Sequence, residues 1–329
     1  MSMLRFVARR LAYGSVVLIF VSFFSFLIIE LPPGDFLTAY LANMQQSGMK
    51  IDTETAAAMR KGYGLDRPFI VRYFLWMGKM AHGEMGLSFT YQNRVEKLIA
   101  ERLPLTLLIT GLSMLLVYSI AIPAGIYAGT HQYSRGDFAI AILGFIGMAT
   151  PSFLIALLLM WIAYKYFGVS LGGLVSPEYL FQPMSWDKFV DILKHLPVPI
   201  IVIGAAGTAG LIRTMRATML DEQGKQYVTT ARAKGLKEKD MINKYPVRSA
   251  MNPIISSGAW ILPELFSGET ITAIVLGLPT MGPLLYKALI GQDQFLAASC
   301  VMVISVLTIL GMLISDIILA IYDPRIRYD

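Results

Sequence analysis

The sequence predicts an all-α integral membrane protein of six transmembrane helices, with both termini in the cytoplasm. Three observations predict it. The 329 residues are 55% hydrophobic and 15% charged, with mean hydropathy +0.59, more apolar and less charged than a soluble domain. Several apolar runs reach about 20 residues, the length that crosses a hydrocarbon core. Lys and Arg gather in the N-terminal tail, the 213–248 loop and the C-terminal tail, which places those segments on the inner face. Membrane orientation thereby accounts for the net charge of +6, and no nucleic-acid partner is expected. The single cysteine, Cys300, excludes a disulfide framework or a multi-thiolate metal site within the chain. The three His residues are scattered without ligand spacing, so no metal site is expected.

The elements follow in order. The first span is 11–31, preceded by Arg5, Arg9 and Arg10 and ended by Pro32, Pro33 and Gly34. A cleaved signal would have a shorter apolar region closing on small residues, so this span is read as uncleaved. Segment 32–103 is extramembrane and of mixed charge. Its Lys and Arg do not exclude the outer side, because the charge rule weakens in loops beyond about 60 residues. Within it, 70–80 (IVRYFLWMGKM) is amphipathic, with two readings: a helix on the membrane surface, or a small helix packed inside the segment. The second span, 105–128, contains Pro123, expected to kink it, and the third, 138–166, contains Pro151. These prolines either mark broken helices along a pathway or serve packing alone. A more polar outer segment covers 168–195. The fourth span, 196–212, carries Gly204, Gly207 and Gly210 as a smooth stripe that lets another helix approach, and Arg213 and Arg216 mark its inner end. The fifth, 254–276, holds Glu264 and Glu269. Carboxylates in a span are costly unless paired or wetted, so these line a pathway, or Glu269 lies near the outer end, or both bond to neighbouring helices. The sixth, 295–321, ends at Asp323-Pro324-Arg325. The chain thus divides into 1–31, tail and first span; 32–103, outer segment; and 104–329, a five-helix core with a cytoplasmic loop at 213–253.

That loop is the most informative stretch. Residues 221–255 (DEQGKQYVTTARAKGLKEKDMINKYPVRSAMNPII) are polar and basic between apolar runs. They cannot sit in hydrocarbon and must project into water. Residues 223–234 read as a short helix, and Gly235 follows where a left-handed residue ends helices. Arg232 and Lys234 lie in its last turn, where positive charge suits the dipole. A second helix, 238–245, carries Met241, Ile242 and Tyr245 as an apolar stripe before Pro246. The expected result is two short helices about a glycine, with a small-residue knuckle at Ala231 and Ala233 exposed to a partner.

TTARAKGL followed by a basic helix and RSAMNPII resembles the cytoplasmic signature loop of permease subunits of bacterial ABC importers, in their dipeptide/oligopeptide branch. The glutamate that names the family's motif is Thr229 here, and its R-N-A asparagine is Ser249. Other stretches resemble the same branch in order: RRL…LPPGD, YGLDRPF…W…GEMGLSF, VEKLIAERLPLTL, ATPSF, GLPTMGPLL and the terminal DPR. The resemblance implies the type I importer permease fold. It implies that Tyr227, Thr229, Thr230, Ala231, Arg232, Ala233, Lys234, Gly235 and Leu236, within the 223–245 loop, couple to a separate ATPase. The further partners would be a second homologous permease subunit, a periplasmic solute-binding protein and membrane lipid. The location would be the bacterial inner membrane. Peptides are the branch's default cargo; relatives of this layout also carry oligosaccharides, opines or nickel.

No G-x-x-x-x-G-K-[ST] phosphate loop occurs, so ATP and Mg would be bound by the partner and no cofactor by this chain. No hydrolase motif stands out, and no enzyme activity is expected. An ion-coupled secondary transporter using Glu264 or Glu269 would show internal repeats, and none is visible. A non-transporting scaffold would leave ARAKGL unexplained.

Overall fold

The computed structural model describes residues 3–31, 37–38, 41, 53–62 and 66–323. The described residues form thirteen α-helices. They are α1 (Met3–Glu30), α2 (Thr53–Gly62), α3 (Phe69–Ala81), α4 (Val95–Thr130), α5 (Arg135–Ala149), α6 (Ser152–Phe167) and α7 (Trp186–His195), then α8 (Pro197–Gln223), α9 (Gln226–Ala233), α10 (Glu238–Lys244), α11 (Pro246–Val275), α12 (Met281–Ile290) and α13 (Gln294–Tyr322). Only helices and closed barrels satisfy their backbone inside lipid, and these apolar sequences take the first solution.

Among the described residues, four helical stretches are long and apolar enough to cross a membrane: Arg5–Glu30, Val95–Thr130, Trp186–Gln223 and Gln294–Tyr322. A fifth crossing arises if α5 and α6, bent by 103°, count as one span. The expected third span is therefore a broken pair. The break falls at Thr150 and Pro151, where Pro151 (φ −55°, ψ 134°) caps α6 without a backbone donor. The expected fifth span lies in α11, but its serines, Glu264 and Glu269 dilute its apolar content, and it is not among the four. Two spans overrun their expected ends. α4 starts ten residues earlier than 105, and α8 continues past Arg213 to Gln223.

The chain divides into two compact units: residues 1–11, 105–279 and 308–329, and residues 12–104 and 280–307. The first is built around α4, α8 and α11. Val117, Val202, Leu211, Met215, Met219, Ile254 and Leu265 are buried together. Close approach rests on glycine. A Cβ at Gly125 would meet Met215 Cβ at 2.5 Å, and one at Gly129 would meet Met219 Cβ at 2.6 Å. The expected stripe is partly used, since Gly204 and Gly207 face Val117 of α4 and Gly210 faces open space. Polar ties complete the packing. Tyr118 Oη donates to Ile254 O at 3.2 Å, and Ser315 Oγ to Ile255 O at 2.7 Å. Arg216 grips Asp137 with two bonds of 2.7 and 2.8 Å.

The second unit contains most of α1, with α2, α3, the start of α4, α12 and the start of α13. Phe26 stacks on Trp76 at 5.2 Å, and Phe23 meets both Tyr73 and Phe69 edge-on. The amphipathic 70–80 stretch is thus a packed helix on its Tyr73/Trp76 face, while Ile70, Val71 and Phe74 stay exposed on the other. Arg72 pairs with Glu30 and donates to Gln294 at 3.0 Å, and Gln294 donates back to Glu30 at 3.0 Å. Asp293 accepts from Ser88 Oγ at 2.6 Å and Thr90 N at 2.9 Å. Cys300 is buried.

Gly125→Leu should drive a branched side chain into Met215 and destabilise the first unit by about 1–3 kcal/mol, the usual range for overpacking. The check is thermal unfolding of the detergent-solubilised protein. Gly210→Ala, into open space, should leave the midpoint nearly unchanged.

Candidate functional site

The basic loop folds as a stiff elbow between α8 and α11. α8 ends at Gln223, whose amide donates to Gly129 O at 3.0 Å and so ties the elbow's root to the end of α4. Gly224 and the extended Lys225 (φ −80°, ψ 149°) then turn the chain. The expected 223–234 helix is therefore split, and α9 starts at Gln226. α9 and α10 close on a core of Val228, Ala231 and Met241, flanked by Leu236, Ile242 and Tyr245. Gly235, at φ +76°, makes the turn between them, a conformation that glycine adopts without a Cβ clash.

One expectation needs correcting. Ala231 is 5% exposed and faces inward, not outward. Val228 and Ala231 are three residues apart on one helix face, and the small side chain at 231 lets Met241 of α10 come close. The outward surface is Thr229, Thr230, Arg232, Ala233, Lys234 and Gly235, all exposed, with Leu236 half-buried. Tyr227 is 38% exposed. Its hydroxyl donates to Glu222, and its ring lies 6.2 Å from Tyr245.

Arg232 clamps Glu238 across the turn with bonds of 2.7 and 3.2 Å. The Arg232 guanidinium holds the Glu238 carboxyl below the usual carboxylate range. Beneath the elbow is a cavity of about 710 Å³ lined by Tyr227, Tyr245, Arg248, Ser249, Asn252 and Tyr322. Asn252 donates to Asp323 at 2.8 Å, joining α11 to the end of α13.

The other candidate residues are dispersed. Pro123 is exposed on α4, and helix continues on both sides of it. Proline removes one bond, and the flanking turns of a long apolar helix hold the rest. Pro151 sits at the α5–α6 break. Glu264 is exposed on α11 and lines a small cavity, about 70 Å³, with Ser152, Ile203, Gly207 and Ile261. Pro151 and Glu264 therefore come near one another through Ser152, and Pro123 does not line that cavity. The Glu269 side chain lies outside the described residues. On α11, Ser249, Pro253, Ser256, Trp260, Glu264 and Ile271 are exposed at helical spacing, a mixed stripe with a carboxylate in it. By contrast, α5 exposes Phe138, Ile142, Leu143, Phe145 and Ile146 alone of its large apolar side chains beside Met148.

Sequence reasoning missed the Asp137–Arg216 clamp and the Glu222–Tyr227 tie. What was legible was only the helix start that carries Asp137. Ser134 and Asp137 stand three apart at a helix start, and the Ser134 side chain does accept from Asp137 N at 3.1 Å. Among the described residues, no cluster of His, Cys, Asp and Glu could hold a metal.

The family model described as "Binding-protein-dependent transport system inner membrane component" matches residues 121–328. Its N-terminal companion matches residues 3–110. The chain is 32% identical over 327 residues to the oligopeptide transport system permease protein AppB of Bacillus subtilis, covering 99% of this chain and 100% of that one. It is 31% identical over 332 residues to a putative peptide permease protein of Brucella ovis, covering 99% of each. It is 30% identical over 327 residues to the oligopeptide transport system permease protein OppB of Haemophilus influenzae, covering 99% of this chain and 100% of that one.

Because Arg232 depresses the Glu238 pKa, the clamp should help hold the elbow at neutral pH and be lost as the pH falls below the ordinary carboxylate value of about 4.3. Amide exchange across 226–244 should rise on acidification in the native protein. In Glu238→Gln it should already be raised at neutral pH and change less with acid.

Proposed function

The chain belongs to the family of binding-protein-dependent transport system inner membrane components, and from that premise we propose that it is one transmembrane subunit of an ATP-driven importer of peptides. A second homologous permease subunit completes the pathway. Separate ATPase subunits bind ATP and Mg and dock on the elbow, and a soluble binding protein delivers cargo at the outer face. The location is the bacterial inner membrane. The cargo reading is supported by relatives named as oligopeptide permeases.

Six spans with both termini inside fit the helices. Four stretches are long and apolar enough to cross alone, the bent α5–α6 pair would supply another, and α11, 30 residues long, is about 45 Å in length at 1.5 Å per residue, enough to cross as well. The basic elbow then lies inside, in keeping with charge bias.

The observation that carries the mechanism is the elbow's construction. Its outward face is polar and solvent-exposed, its inward face is a small apolar core, and both its ends run directly into long helices. Closure of the ATPases would move it as one piece, and α8 and α11 would follow, exchanging inward- and outward-open states. The mixed stripe of α11 supports a pathway role for Glu264. A charge at mid-membrane facing lipid costs about 2.5–3.5 kcal/mol, so this face turns to water or to the partner permease. A carboxylate there suits cargo with a protonated amine.

Gly235→Pro cannot keep φ +76°, because proline holds φ near −65°. Uptake of peptide by the reconstituted transporter should disappear while membrane insertion persists. Normal uptake would count against the elbow. A cysteine at Ala233 should cross-link to the ATPase, and one at the inward Ala231 should not. Glu264→Gln should raise the KM for peptides with a free amino terminus more than for N-acetylated ones; equal effects would return Glu264 to packing.

A further inference from the structure

The second unit contains a cavity that the transport reading does not use. It measures about 410 Å³, and its lining includes Lys61 of α2, Arg67 just before α3, Lys79 in the last turn of α3, Arg72 and Glu84. Arg72 is already committed through its Nη atoms to Glu30 and Gln294, while its Nε is buried and without a hydrogen-bond partner. Among the described residues, Lys61, Arg67 and Lys79 have no ion pair. Three cations against one carboxylate leave the rim positive.

The same cavity has an apolar side. Leu75, Trp76, Leu87, Phe89 and Phe295 line it, and Leu75 and Leu87 are each more than two-fifths exposed. Leu75 continues into the exposed face of α3, Ile70, Val71 and Phe74. That helix lies alongside the last third of α1. Tyr73 Oη shares a 2.8 Å hydrogen bond with Ser22, and Trp76 stacks on Phe26. α1 in this region exposes Phe20, Phe24 and Ile28. A membrane-crossing helix and an amphipathic helix beside it thus present apolar faces next to a positive socket.

We propose that this cavity is a binding site for an anionic phospholipid, its phosphate held by Lys61, Arg67 and Lys79 and an acyl chain laid over Leu75 and the Ile70/Phe74 face. The pairing of charge and apolar surface selects an amphiphile. A free anion would use only the rim, and an acidic soluble protein would leave the α3 face bare. Basic side chains beside a membrane-embedded apolar face are the chemistry that retains anionic headgroups. The proposal does not depend on which side of the membrane the segment occupies, nor on the cargo.

The test uses the assembled transporter in detergent, with native mass spectrometry of retained lipid. Phosphatidylglycerol should be retained at least about tenfold more strongly than phosphatidylcholine. That preference should vanish in the triple variant Lys61→Gln, Arg67→Gln, Lys79→Gln. If the triple variant does not fold, Lys79→Gln alone should weaken phosphatidylglycerol retention about fivefold, with an unchanged unfolding midpoint in phosphatidylcholine. Equal retention of the two lipids, or a preference that survives substitution, would overturn the proposal. So would displacement of phosphatidylglycerol by millimolar inorganic phosphate, which would mark a free-anion site, or by polyglutamate, which would mark a protein-docking surface.

Discussion

Force applied to an exposed loop reaches buried helices only if the loop is stiff. Here stiffness rests on three side chains, Val228, Ala231 and Met241, which close α9 against α10. Without that contact, residues 224–245 would be a basic tether, and motion at their tip would dissipate in backbone rotations. With it, the turn at Gly235 and the Arg232–Glu238 clamp become the outer edge of a single body. The root is equally tied, through Gln223 to Gly129 and Glu222 to Tyr227.

The same logic of placement governs the polar groups elsewhere. Charges inside the apolar helices do not stand alone. Asp137 meets Arg216, Glu30 meets Arg72 and Gln294, and Arg10 reaches Asp316 at 3.1 Å. Each pairing joins segments far apart in the chain, so the desolvated groups also act as staples between helices. Glu264 lies on an exposed stripe shared with Ser256 and Trp260.

Much of this was legible in the sequence for physical reasons. Apolar run length marked α1 and α13 to within a residue or two of their far ends, because helices in lipid end where polar groups resume. Gly235 was legible because so few residues tolerate a positive φ. Helix continuation past Arg213 was not, because hydropathy reports where lipid ends and not where hydrogen bonding ends. Nor was the direction of Ala231. A small residue suits either an exposed knuckle or a tight contact, and only the position of Met241 decides between them. The paired charges were hidden for a different reason. Asp137 and Arg216 are 79 residues apart, and no local pattern links them.

The notches of α4 reach further than packing. Gly125 receives Met215 and Gly129 receives Met219, so glycines and methionines both repeat every four residues and run in the same sense. A shift of α8 along α4 would lift both methionines out of their notches at once and break the Gln223–Gly129 bond. The seam is thereby indexed at two points, and the helix it holds in register is the one that leads into the elbow.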